Sequence, residues 1–559
     1  MSIMAAGEQS LNEPSLGEPR GHAAVPRLIV VLAALGATLA YLQASKIGGR
    51  LAQELTFDDV GYATDAARRM LALRAGGIAG LLADLIALPP HSPFSTGLAM
   101  FAFALGGTRE IALYAANGVI LLAASWFVFD ATGRARPALG LLAVATFLAS
   151  PLARHAVQDF RPDIANGLCT AAMVWWLADG VVGGRWPPVA RAGIAFGACL
   201  LIKPSFFPHA LAVALALAVL AAAWVRLAPT GSPPRRLGLR APASFLALGA
   251  AIAAPYYLLN GRQIFDYMWI NTHAAIPTAL WSFDPGTPLI RVLHWYLLDR
   301  HATFLLLGDH LYLALIGLGA ALPVLRRAGR HEELAKIGAL LAAALVSFAV
   351  IFVGRHKNEF FLASFQSLIL LAALVAMARA APHVPPRRWR YWLLAWGVLL
   401  AIATATGLRL GAPALEPETR VGTAWNGRLV QSILDAEAGL APRPPGEPIS
   451  VFVGFAGPVS GATMQWEALK RSVPIEVREL YLSDSLADYV ASADAADYVI
   501  LPNMADADFY RNFPSGRLQQ ALELQLEGSA DFAVVGTPTP ADHYRVLRNL
   551  PRFRRRGGG

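Results

Sequence analysis

The sequence predicts a polytopic α-helical membrane protein carrying a C-terminal extracytoplasmic α/β domain, and three observations predict it. The 559-residue chain is 55% hydrophobic and only 15% charged, against about 25% charged residues in ordinary soluble domains, and its mean hydropathy is +0.46. Membrane-length apolar runs recur between residues 27 and 410. Beyond residue 411 the pattern changes to short strand-like apolar runs alternating with helical ones.

The net charge of +9 is topological rather than a nucleic-acid signature. Arginines gather in short links between apolar runs: Arg134 and Arg136, Arg185 and Arg191, Arg235, Arg236 and Arg240, Arg326, Arg327 and Arg330, and Arg387, Arg388 and Arg390. That is the bias of cytoplasmic loops, and no nucleic-acid partner is expected. Cys169 and Cys199 each lie in an apolar stretch, so neither a disulfide framework nor a CxxC metal site is available.

Residues 1–26 are polar, contain Pro14 and Pro19, and read as a disordered cytoplasmic N-terminus. Leu28 to Ala44 is long for a signal-peptide core and lacks a cleavage site, so it reads as a retained anchor. The domain 27–410 then follows. A first span at 27–46 exits to the far side, where the loop 47–109 carries adjacent carboxylates, Asp58 and Asp59. The run 93–107 has about 15 residues, short of the roughly 20 needed to cross, and is expected to lie in the interface or re-enter. Further spans are expected at 110–130, 137–154, 163–180, 191–207, 208–225, 243–260, 303–324, 337–354, 362–381 and 391–410, about eleven in all. This arrangement puts every Arg-rich link in the cytoplasm. It also brings Asp58, Arg161-Pro162-Asp163, Lys203-Pro204 and Arg355-His356-Lys357 to the opposite face.

Residues 411–559 form the second domain, placed on the same side as Asp58. Strands are expected at 449–455, 475–482, 497–502 and 531–536, with helices at 460–471, 485–494 and 516–527. The alternation predicts a largely parallel sheet, and the Arg-rich tail ending in three glycines reads as flexible.

The polar residues of the far face carry competing readings. Residues 58–74 predict an amphipathic helix with Val60, Ala63, Ala67, Met70 and Leu71 toward lipid. One Asp suffices to cap it, which leaves the other free for chemistry at the membrane surface. Asp163 suits a helix N-terminus, and Lys203 can snorkel. Arg161, an outer cation against the usual bias, more readily meets an anion. Arg355, His356 and Lys357 between aromatic residues suit a phosphate, although interface anchoring is the plainer alternative. Asp309 and His310 are candidate partners in a polar cavity. Trp269, Trp281 and Trp295 fit an aromatic belt better than a sugar platform.

Residues 28–380 resemble GT-C-type glycosyltransferases, especially relatives of the protein O-mannosyltransferases and of the lipid A aminoarabinose transferase. The resemblance rests first on Asp58-Asp59-Val60-Gly61-Tyr62 with Ala66-Ala67-Arg68-Arg69-Met70 after the first span. It rests next on Pro89-Pro90-His91-Ser92-Pro93-Phe94, which opens a short helix ending Leu105-Gly106-Gly107, and on Lys357-Asn358-Glu359-Phe360-Phe361 before a later span. The aminoarabinose-transferase branch carries Glu-Lys before its two prolines. Pro90 and His91 stand here instead, which makes His91 the substitute for that Lys.

The resemblance implies sugar transfer, with inversion, from a polyprenyl-phosphate-linked donor to an extracytoplasmic acceptor that is a lipid, an envelope glycan or a protein. Asp58 would be the general base and Asp59 its orienting partner. Arg161, Lys203, His356, Lys357 and Arg355 would hold the donor phosphate, with Tyr62, His91, Asp163, Asp309 and His310 around the pocket. No cofactor is required: paired carboxylates can bind a divalent ion, but a monophosphate leaving group surrounded by cations has no need of one. The expected location is the cell membrane, in contact with its lipids. A flippase of lipid-linked sugars and a non-catalytic scaffold are the rival classes; the former predicts charges at mid-depth and paired halves.

Overall fold

A computed structural model describes residues 24–55, 57–133, 136–298 and 310–385 and, with internal gaps, 391–401 and 425–557. The membrane domain is built of helices α1 (Ala24–Gly48), α2 (Phe57–Ala87), α3 (Pro93–Gly106), α4 (Glu110–Ala116), α5 (Gly118–Gly133), α6 (Pro137–Leu148), α7 (Pro151–Gln158), α8 (Pro162–Val182) and α9 (Trp186–Ile202). It continues through α10 (Phe207–Leu227), α11 (Pro233–Leu237), α12 (Arg240–His273), α13 (Ala275–Trp281), α14 (Leu289–Leu298), α15 (His310–Arg327), α16 (His331–Gly354) and α17 (Ala363–Ala380). Prolines open many of these helices, as at Pro93, Pro137, Pro151 and Pro162, where the missing N–H has no intrahelical partner to lose.

Among the described residues, eight helices are long and apolar enough to cross a membrane, and α6 with α7 makes a ninth, bent by 61°. Seven of the expected spans are among the eight. The expected span at 191–207 is the shorter helix α9, and that at 303–324 is described only from His310. Of 391–410, residues 391–392, 394–398 and 401 are described and helical; Trp396 donates to Thr146 Oγ1 of α6 at 2.9 Å.

The eighth helix of membrane length, α2, was expected to be a shorter amphipathic helix. Its backbone leaves the helical region at Gly77 (φ 60°, ψ −155°), a conformation that a side chain resists. Arg69 reaches back to Asp84 and to the Leu88 carbonyl, and Arg68 Nε lies 3.6 Å from Asp84. In a straight helix, positions 69 and 84 would be about 22 Å apart. The helix therefore folds back on itself, and we read it as a surface hairpin rather than a span. Of the five residues expected toward lipid, Val60, Ala63 and Ala67 are instead buried in the protein core and Met70 is partly buried against it, while Leu71 is 52% exposed.

The centre of the bundle is α17 against α8, both buried along nearly their whole length. Gly167 permits this, because a Cβ there would lie 2.6 Å from the Ala363 carbonyl carbon. The two ends of α8 carry charge, Asp163 at one and Asp179 at the other, about 24 Å apart along the axis. Asp179 pairs with Lys336 at 3.1 Å and with Arg185, while Glu333 lies 3.7 Å from both Lys336 and Arg379. This network ties α8, α16 and α17 together at the end of the Arg-rich links.

The C-terminal domain contains α18 (Trp425–Ala438), β1 (Ile449–Val453), α19 (Gly461–Lys470), β2 (Ile475–Glu479), α20 (Leu486–Asp494), β3 (Tyr498–Pro502), α21 (Pro514–Glu527), β4 (Phe532–Val534), β5 (Tyr544–Asn549) and α22 (Leu550–Gly557). The sheet order is β2-β1-β3-β5-β4. The first three strands are parallel, but β5 runs antiparallel to both β3 and β4, so the sheet is mixed. Alternation splits its core between two faces: Val451, Val453, Tyr498 and Ile500 pack with α18 and α19, and Phe452, Val499 and Leu501 with α20 and α21. The basic tail, expected to be flexible, is helical to Gly557, with Arg552 Nε 3.0 Å from Asp497 Oδ1.

The domain docks at the Asp58 end of the bundle. The Glu54 carboxylate accepts from Asn426 N (3.0 Å), Asn426 Nδ2 (2.7 Å) and Gly427 N (2.9 Å). Thr463 Oγ1 donates to the Leu55 carbonyl at 2.8 Å. Trp466 Nε1 and Lys470 Nζ reach Glu110 Oε1 at 3.2 and 2.8 Å, and the Trp466 ring stacks on Phe103. Hydrogen bonds contribute about 0.5–1.5 kcal/mol each, more to a charged acceptor, and burial, which raises the Glu54 carboxyl above the usual range, opposes that charge, so Glu54→Ala should weaken docking by about 2–4 kcal/mol over its three bonds. Limited proteolysis in membranes should then release residues 425–557 faster than from the wild type, with the membrane domain intact.

Candidate functional site

The first turn of α2 presents its two carboxylates differently. Asp58 has a side chain 56% exposed, with Oδ2 3.5 Å from Arg161 Nη1. Asp59 is buried and its Oδ2 accepts from Tyr114 Oη at 2.7 Å, while its Oδ1 is buried with no hydrogen bond among the described residues. Burial pushes the Asp59 carboxyl above the usual carboxylate range, Asp159 adding to the effect while Arg50 and Arg161 oppose it.

Behind this pair lies a charge cluster that sequence reasoning missed. Asp159 ends α7, where its carboxylate meets Arg50 Nε at 3.2 Å and His155 Nδ1 on the preceding turn. Asn117 Nδ2 donates to its carbonyl at 3.1 Å. Burial opposes ionisation of Asp159, but His155, Arg50 and Arg161 together hold it well below the usual range. Arg161 sits two residues on, with its guanidinium 4.2 Å from the centre of the Phe360 ring. Two signals were legible: the i,i+4 spacing of His155 and Asp159, and Arg50 as an outer cation against the usual charge bias. Nothing in the apolar run around Tyr114 distinguishes it.

Lys203, at the end of α9, pairs with Asp163 of the α8 first turn and lies 4.2 Å from the Phe361 ring centre. Ser92 Oγ donates to the Ile202 carbonyl at 2.6 Å and Tyr256 Oη to the Pro90 carbonyl at 2.7 Å, fixing the loop that carries His91. The His91 ring packs edge-on to Tyr267 at 4.8 Å and faces Tyr62 at 6.4 Å. Tyr267, which sequence reasoning passed over, is 48% exposed on the outer end of α12.

The basic triplet divides. His356 lies 5.8 Å from Phe361, and its Nδ1 is 3.2 Å from Ser282 Oγ. Burial, then the charge of Lys203, lowers the pKa of His356, and the same two causes lower that of His91. Both shifts disfavour the protonated rings. Arg355 caps α16 in the left-handed region (φ 51°) and donates to the Asp284 and Pro285 carbonyls. Lys357 N donates to the Trp281 carbonyl and its Nζ lies 5.3 Å from the Phe283 ring. No described contact joins either side chain to the Asp58–Arg161 pair. Trp281 packs edge-on to Phe513 of the C-terminal domain, and Trp295 to Phe283 and Tyr296. Asp309 lies outside the described residues, and His310 is described only as the first residue of α15. Among the described residues, no group of three His, Cys, Asp or Glu is placed to hold a metal ion.

The architecture is a bundle of membrane-length helices with an amphipathic hairpin after the first of them and a small α/β domain above. Among solved structures, ArnT from Cupriavidus metallidurans in the apo state is similar, with a TM-score of 0.59 at 13% identity over 96% of this chain and 99% of that one. ArnT bound to undecaprenyl phosphate gives 0.54 at 14% over 95% and 98%. The apo Archaeoglobus fulgidus oligosaccharyltransferase gives 0.54 at 12% over 94% and 81%. No protein-family model matches the chain, and no curated protein matches it in sequence.

The lowered histidines set a pH dependence. Unfolding frees His91 and His356 to take up protons that the folded state refuses, so stability falls as pH drops through the ordinary histidine range. Asp159 adds a loss at lower pH, because its carboxyl protonates more readily unfolded. Glu479, whose carboxyl is raised by burial to about 7, works the other way, so the test is a difference: as pH falls from about 7.5 to about 5.5, the melting temperature of His356→Gln should shift upward relative to wild type.

Proposed function

We propose that this chain is an integral-membrane glycosyltransferase. It moves a sugar from a polyprenyl-phosphate donor to an extracytoplasmic lipid, glycan or protein, with inversion at the anomeric carbon. The observation that carries this reading is an accessible carboxylate, Asp58, held beside Arg161 and the Lys203–Asp163 pair in a fold also found in ArnT with undecaprenyl phosphate bound. Arg185 and Arg379 lie with Asp179 and Glu333 at the opposite end of the bundle, and the positive-inside bias supports an extracytoplasmic face for the site.

The chemistry follows from the placement. The acceptor oxygen forms a bond to the anomeric carbon as the bond from that carbon to the phosphate oxygen breaks. Asp58 takes the acceptor proton. Charge growing on the departing phosphate is met by Arg161 and Lys203, donors already in place before the reaction. Asp59, bonded to Tyr114, holds the first turn of α2 in register with this cluster. Tyr62, His91 and Tyr267 form an aromatic wall able to lie against a sugar ring. The two fixed cations supply the charge that a divalent ion would otherwise bring, so the proposal includes none. Arg355 and Lys357 are left a role in shaping the 281–285 loop.

The test uses protein in nanodiscs with undecaprenyl-phosphate-linked, radiolabelled sugars, scoring release of undecaprenyl phosphate. Asp58→Asn should lower turnover at least about a thousandfold, the order expected when an essential base is lost, and leave undecaprenyl phosphate binding intact. Arg161→Ala should weaken that binding. Full turnover by Asp58→Asn would sink the assignment of the base. A wild-type protein that moves intact donor across the bilayer without cleaving it would establish the flippase reading instead.

A further inference from the structure

Away from Asp58, a cleft of about 460 Å³ opens where α1, the start of α4 and the C-terminal helix α19 meet. Lys46, Arg109 and Lys470 line it together with one carboxylate, Glu110, and the apolar side chains of Leu51 and Ile111. Lys470 is already engaged by Glu110 and by Glu467. The other two cations are not. Both are exposed, and among the described residues neither side chain has a hydrogen-bond or ion-pair partner.

Their position makes this unusual. Lys46 stands on the last turn of a 25-residue apolar helix, at its exit from the bilayer. Around the cleft, Ile47 is 77% exposed, Leu105 75% and Ile111 37%, a set of apolar side chains suited to acyl chains. On the orientation proposed above, which this inference shares, these are outer-face cations, where loop charge bias does not explain them. A ligand satisfying the whole cleft must be anionic at one end and apolar at the other.

We propose that the cleft binds an anionic glycerophospholipid of the leaflet facing the C-terminal domain, its phosphate between the Lys46 ammonium and the Arg109 guanidinium. Arg109 offers a planar fork and Lys46 a point charge, a pairing suited to a phosphodiester. The acyl chains run down the exposed apolar side chains. Because Lys470 and Glu110 join α19 to α4 at the rim, the bound lipid also fastens the C-terminal domain to the bilayer surface.

Native mass spectrometry of the full chain, delipidated and titrated with phosphatidylglycerol or phosphatidylcholine, tests this directly. The wild type should retain phosphatidylglycerol preferentially. The Lys46→Gln/Arg109→Gln double variant should lose about twenty-fivefold of that affinity, about fivefold for each surface cation removed. Arg191→Gln, at the opposite end of the bundle, should lose none. Equal retention by the double variant and the wild type would overturn the proposal, and so would equal retention of the two lipids. Displacement of phosphatidylglycerol by millimolar inorganic phosphate would reassign the cleft to a soluble anion and also overturn it. Both substituted side chains are exposed and unpartnered, so unchanged melting of the double variant is expected. None of these readouts uses sugar transfer, so the inference can fail while the glycosyltransferase reading stands, and the reverse.

Discussion

A carboxylate buried at the edge of a bilayer is tolerated only where cations and hydrogen-bond donors meet it. Here three carboxylates, Asp58, Asp59 and Asp159, share two guanidiniums, Arg50 and Arg161. Asp159 takes the strongest share, through Arg50 and His155, and Asp59 is left with the Tyr114 hydroxyl and a buried oxygen that has no hydrogen bond among the described residues. Five chain segments, from the end of α1 to the start of α8, must converge for this to work. Their loops are consequently short and closely held, as the bonds from Asn117 to the Val157 and Asp159 carbonyls illustrate.

The C-terminal domain extends the same constraint. Helix α19 reaches both elements that build the Asp59–Tyr114 pair. Thr463 holds Leu55, two residues before α2, while Trp466 and Lys470 hold Glu110 at the start of α4. Glu54 closes the arrangement on α18 through three donors. A domain whose sequence bears no catalytic motif thus sets the separation of two helices whose side chains must meet within hydrogen-bonding distance.

Much of this was legible in the sequence because the bilayer enforces simple rules. Length and apolarity located α1, α8, α10, α12, α16 and α17, and charge bias separated the Arg-rich links from Asp58, Arg161 and Lys203. The failures have physical causes. The fold-back of α2 depends on Gly77 and on Arg69 meeting Asp84, a tertiary contact that periodicity does not encode. The apolar face of α2 matches lipid and protein core equally well in composition, so burial of Val60 and Ala63 was unreadable. Strand β5 lies in Tyr544–Asn549, where Arg545 and Arg548 mask its alternation, and its antiparallel insertion made the sheet mixed. Arg355 and Lys357 were grouped with His356 by adjacency, by the aromatic residues around them and, for Lys357, by the family resemblance. The left-handed residue at Arg355 turns the chain so that the three side chains part company.

The division between the two adjacent aspartates follows from helix geometry. Successive residues on a helix point about 100° apart, so Asp58 and Asp59 cannot occupy one environment. Asp59 faces inward, where burial favours its neutral form and Tyr114 occupies one oxygen; a group so enclosed has no path to an acceptor hydroxyl. Asp58 faces outward beside Arg161, with its side chain 56% exposed. The adjacency therefore reflects two successive directions on one helix turn, one buried against Tyr114 and the other open to solvent.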